Sequence, residues 1–166
     1  MTGTSGVRLR SPNNELDRRA VRWWQVQWLA LIVPPVLVLV LLGMLIEPAR
    51  FWLLLPAAVL AVPGLAVSFL LPLWWFKVHR WEVTDTAVYI RTGFFWQEWR
   101  VAPMSRIQTV DTVRGPLQQL FGLASVVVTT ASAKGAVKIE GLDHEVAAEL
   151  AEQLTRITGA TPGDAT

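Results

Sequence analysis

The chain has no cysteine, one tyrosine and two histidines in 166 residues. No disulfide, thiolate nucleophile or cysteine-bound metal is open to it. His79 and His144 would need a third ligand to hold a metal together, and the sequence does not place one; exposed or capping histidines explain both. The phosphate-cradling patterns GxGxxG and GxxxxGK followed by Ser or Thr are missing. So are the hydrolase patterns HExxH and GxSxG. The largest absence is of charge: residues 23–46 carry none in 24 positions, and residues 51–76 none in 26.

Those uncharged runs are rich in Leu, Ile and Val. At ~1.5 Å rise per residue each reaches ~36 Å or more, against a hydrocarbon core of ~30 Å. Only Glu47, Pro48, Ala49 and Arg50 separate them, so the two form an antiparallel hairpin. A buried core helix of a soluble protein is usually shorter and interrupted by charge. Bends are expected near Pro34 and Pro35, Pro56, Pro63 and Pro72. Ser68 is the one hydroxyl deep in a run, and a bond to a carbonyl one turn earlier accounts for it better than an ion path.

Charge is unevenly placed. Residues 1–22 hold five arginines against Glu15 and Asp17, a net of +3. Residues 77–166 hold nine basic and ten acidic side chains, a net of −1. A domain without basic excess gives no support for nucleic-acid binding. The basic arm, with Lys77 and Arg80 after the second run, predicts that both termini face the cytoplasm. Six of nine tryptophans, Trp23, Trp24, Trp28, Trp52, Trp74 and Trp75, fall where interfacial anchors belong.

From Arg80 onward the pattern changes to alternation of polar and apolar residues, which reads as strands over 80–84, 88–91, 95–101, 106–113, 125–130 and 137–140. Residues 116–121 read as a short helical turn. Asp143 then suits an N-cap, and Val146, Leu150, Leu154 and Ile157 make one apolar stripe ending at a C′ Gly159. The fold class is therefore a two-helix transmembrane hairpin followed by a small antiparallel β domain with a C-terminal helix. Four segments result: a disordered arm (1–22), the hairpin (23–76), the β domain (77–158) and a flexible tail (159–166).

The segment 101–132 carries Pro103, then Arg106, Ile107 and Gln108, then Gly115, Pro116, Leu117 and Gln118, then Phe121, Gly122 and Leu123, before a β-branched strand. This order resembles the bacterial PH-domain membrane proteins, the YdbS-like group, which also set a two-helix hairpin directly before the domain. The resemblance implies a PH-like partial barrel without catalytic residues or cofactor. Six strands are counted here against seven in a full PH barrel. The resemblance also hints at a role in envelope stress or antimicrobial-peptide tolerance.

Two readings of function follow. The first is a binding or scaffolding module at the inner membrane face, working on the lipid bilayer as a homo-oligomer or with another membrane PH-domain protein. The second is an accessory subunit whose hairpin completes a transporter. Neither names a ligand, and neither is an enzyme. Arg106 and Asp111, on one strand, are candidates for holding a ligand or for a plain surface pair. Phe94, Phe95 and Trp96 form an aromatic turn. The first strand leaves the membrane and the second returns, so this turn is expected at headgroup depth, docked on the interface or the hairpin.

Overall fold

The computed structural model describes residues 12–93, 96–131 and 135–160. Helices α1 (Arg19–Leu45) and α2 (Arg50–Val78) come first, joined by one 3-10 turn, Glu47–Ala49. All five prolines of the runs lie inside the helices without ending either. Small residues let the two approach: a Cβ on Gly64 would lie 2.8 Å from Ile32 Cγ2, and one on Gly43 3.0 Å from Leu54 Cδ2. Ser68 is fully buried, and its hydroxyl donates to the Gly64 carbonyl at 2.8 Å, one turn back.

Only 11% of the most apolar window of each helix is buried within the protein. Leu37, Leu41, Leu45, Val59, Val62 and Leu70 are all exposed. A core helix of a soluble protein would be covered, whereas these surfaces match lipid.

The rest of the chain makes two antiparallel sheets. Strands β1 (Arg80–Val83), β2 (Ala87–Gly93) and β3 (Gln97–Pro103) form one, in that order. Strands β4 (Ile107–Val113), β5 (Leu123–Thr130) and β6 (Val137–Asp143) form the other. Helix α3 (Pro116–Leu120) precedes β5, and α4 (His144–Ala160) ends the described chain. Strand β6 runs beyond the alternating stretch 137–140. Gly141 takes a φ of 71°, which only glycine adopts freely. Past it, Leu142 and Asp143 resume pairing with Ala124 and Leu123.

The core lies between the sheets and under α4. Val88, Ile90 and Ala102 enter from the first sheet, Val126, Val128 and Ile139 from the second. The buried stripe of α4 is Ala147, Leu150 and Leu154, with Ile157 partly buried. Val146, expected in the stripe, is 41% exposed. Ala147, on the next face, is fully buried in its place. Gly159 is also corrected: it is helical, since α4 continues to Ala160.

The disordered arm of residues 1–22 is corrected in its second half. Residues 1–11 lie outside the described ones, but from Pro12 the chain has defined partners. Asn14 exchanges both backbone hydrogen bonds with Trp81, at 3.0 and 3.1 Å, and Leu16 is buried in the core. Polar composition predicted disorder; the bridge, the buried leucine and Glu15, whose carboxylate pairs with Arg80 and whose carbonyl accepts from the Trp81 indole, dock the segment.

Candidate functional site

The chemistry-bearing side chains gather where the hairpin meets the β domain. Arg19, the first residue of α1, is at the centre. Its Nε and Nη2 donate to the two carboxylate oxygens of Asp17 at 3.0 and 3.1 Å. The same Nη2 also donates to Asp143 Oδ2 at the end of β6. Its Nη1 donates to the Phe121 carbonyl at 3.3 Å. One guanidinium thus ties the incoming chain, β6 and the turn after α3, using the fork geometry that suits arginine. Asp17 is held below the usual carboxylate range, chiefly by the Arg19 hydrogen bonds. Asp143 is also lowered, first by the Glu145 backbone N–H, which donates to it at 2.9 Å, and then by Arg19.

Close approach of backbone completes the clamp. Gly122 has a φ of 66°, and a Cβ there would stand 2.9 Å from Arg19 Nη1. The Asp17 N–H donates to the Gly141 carbonyl at 3.0 Å, and the His144 N–H to the Gly122 carbonyl at 3.1 Å.

The exit of α2 is held as firmly. Its last carbonyls lack partners within the helix, and the domain supplies them. Arg80 Nη1 donates to the Phe76 carbonyl at 3.0 Å, and Arg91 Nε to the Val78 carbonyl at 3.0 Å. The Trp75 carbonyl accepts the His79 backbone N–H at 2.8 Å and also lies 2.9 Å from the His79 ring Nδ1. Cations there also complement the helix dipole. Trp23 and Trp24 are 6% and 4% exposed and belong to the domain core. They were expected as interfacial anchors; instead they weld α1 to the domain. Trp52 and Trp74 do remain exposed.

A pocket of about 520 Å³ opens beside this clamp, between α1, α3 and the outer face of β6. A smaller one of about 250 Å³ is lined by Trp24, Trp75, His79, Gly93 and Glu140.

With that geometry in view, residues 28–158 match the bacterial PH domain family. The chain belongs to that family. It is also 28% identical over 158 residues to the transmembrane protein YdbS of Bacillus subtilis (strain 168), covering 92% of this chain and 97% of that one. No solved structure matches it.

In this bacterial PH domain the motif residues divide between two ends. Pro103 closes β3 opposite Ala87, and Arg106 lies in a 3-10 turn, both at the end remote from the hairpin. Ile107 is half-buried and Gln108 exposed at the start of β4. The strand then runs back toward the hairpin over seven residues, ~20 Å at ~3.3 Å each. There Gly115, Pro116 and Leu117 open α3, and Phe121 and Gly122 meet Arg19. Gln118 is buried; its side chain accepts from the Gly115 N–H at 3.0 Å and donates to Ser125 Oγ at 2.8 Å. The motif frames the domain and half of it builds the junction.

Arg106 and Asp111 fall in different elements, the turn and β4, and Asp111 accepts from Thr109 Oγ1 at 3.1 Å. No group of three potential metal ligands occurs among the described residues. Phe94 and Phe95 lie outside them. Trp96 is 87% exposed. The Arg19, Asp17 and Asp143 cluster was missed from the sequence; its only local signal was an aspartate two residues before an arginine at a helix start.

Proposed function

We propose that this protein is a binding module held in a fixed orientation at the cytoplasmic face of the membrane, acting by presenting its PH domain and not by catalysis. The observation that carries this is the absence of a linker: His79 alone separates α2 from β1, and Arg19, Arg80 and Arg91 lock both helix ends to the domain. A module meant to search for ligands at a distance would hang on a flexible tether. Arginines before α1 and Lys77 and Arg80 after α2 support the cytoplasmic side. Partners are the bilayer and either a second copy or another membrane PH-domain protein. Envelope stress or antimicrobial-peptide tolerance is the process we infer, from the resemblance of the motif alone.

Purification in mild detergent followed by mass measurement tests this reading. A homo-oligomer, or a pair with a second PH-domain protein, is the expected result. One observation favours the transporter-subunit reading: an apolar groove of about 290 Å³ on α2, lined by Ala66, Val67, Leu70, Leu71 and Trp74. A co-purifying polytopic protein released by Ala66→Trp would replace the first reading with the second.

A further inference from the structure

The pocket of about 520 Å³ is lined by Trp23, Gln27, Val113, Gly115, Pro116, Leu117, Gln118, Lys138 and Glu140. One wall is a membrane helix and the other a soluble sheet. Helix α1 has 27 residues, ~40 Å at ~1.5 Å each, against a core of ~30 Å. With that surplus of ~10 Å at the domain end, about the first seven residues, Trp23 among them, lie at headgroup depth and Gln27 sits at the edge of the core, so molecules of the bilayer surface meet the pocket first.

The polar groups in the pocket are specific. Lys138 Nζ and Glu140 Oε1 are 2.5 Å apart on the outer face of β6, and both side chains are partly exposed. Gln27 places an amide in the wall, one of two glutamines at the start of the uncharged run. Gln118 spends its amide on Gly115 and Ser125, so it holds the wall in place. Trp23 is 6% exposed, and its indole N–H is buried with no hydrogen-bond partner among the described residues. Buried donors are almost always satisfied, so an orphan beside a cavity marks a water or ligand.

We propose that this pocket binds the headgroup of a zwitterionic aminophospholipid. The phosphate sits against Lys138, with the Gln27 amide as a neutral donor and the Trp23 ring as part of the wall. The primary ammonium sits against Glu140. A headgroup carrying phosphate and ammonium two carbons apart matches an adjacent cation and anion. An anionic headgroup without an amine meets Glu140 as a like charge. A quaternary ammonium cannot donate a hydrogen bond to the carboxylate.

The test uses the full chain, delipidated in detergent and titrated in native mass spectrometry with phosphatidylethanolamine, phosphatidylglycerol or phosphatidylcholine of identical acyl chains. The expected result is one saturable phosphatidylethanolamine, preferred about tenfold, the scale of one charge-assisted hydrogen bond. Glu140→Gln should abolish that preference by weakening phosphatidylethanolamine alone. Lys138→Gln should weaken all three lipids. Lys77→Gln, a cation near the bilayer that does not line the pocket, should change nothing. Equal, unsaturable retention of the three lipids by the wild type overturns the proposal, and this arm needs no variant to fold. Unchanged preference in a folded Glu140→Gln overturns it as well.

Discussion

Gly141 of β6 lies so close to Ala20 of α1 that a Cβ on the glycine would stand 2.7 Å from the Ala20 Cβ. Ala20 is itself fully buried. Gly135 has a similar φ, 76° against 71°, but open space around it. The pair separates backbone strain from helix contact. Gly135→Ala should cost only the strain of a left-handed residue, ~1–3 kcal/mol. Gly141→Ala should cost distinctly more, because the membrane helix must also shift. Thermal unfolding of both variants in nanodiscs reads the difference; equal losses would mean that the contact contributes nothing.

Acid should loosen the clamp. Asp17 and Asp143 have folded-state values below the ordinary carboxylate range. Their contribution is therefore full above about pH 4, the unfolded value. It is lost as pH falls through the lowered folded values. Limited proteolysis near residues 12–18 should accelerate only below about pH 4. In Arg19→Ala that acid dependence should largely vanish and cleavage should already be faster at neutral pH.

A second pH effect comes from His79, lowered mainly by burial against Trp24 and Trp75, with ring centroids 5.7 and 6.3 Å away. A depressed histidine favours the folded state most above its unfolded value of about 6.5 and loses that contribution as pH falls toward the folded value. Melting temperature should drop as pH falls below about 6.5. His79→Phe keeps the aromatic contact and should flatten this step without touching the carboxylate step. An unchanged slope in His79→Phe would assign the step to another group.

The turn at Trp96 carries the fourth test. Gly93 borders the pocket with Trp24, Trp75 and His79, so β2 does return to the level of the hairpin end. Thr86 sits at the other end of β2 and is exposed. Because the chain has no cysteine, Trp96→Cys and Thr86→Cys can each carry one environment-sensitive dye in liposomes. Docking of the turn on lipid predicts a blue-shifted, lipid-quenched probe at 96 and a water-like probe at 86. Matching water-like spectra would remove the docking idea.

What was legible from the sequence was what local pattern controls. Missing charge marked the hairpin, and alternation marked all six strands to within a few residues. Long-range contacts were not legible. Arg19 and Asp143 are 124 positions apart, and nothing local links them. Trp23 and Trp24 read as interfacial because composition cannot tell a lipid surface from a protein one. Val146 read as core because it is more apolar than Ala147, whereas the docked helix turns Ala147 inward. The clamp and the pocket beside it belong to this second class.

The single-residue joint at His79 makes the β domain a rigid extension of the hairpin. Hairpins tilt when the hydrocarbon layer thins. A domain with no hinge must swing by the same angle, and the far end at Thr86 travels furthest. Bilayer thickness is thereby converted into the position of a surface in the aqueous phase, with the hairpin as one arm of a lever and the domain as the other.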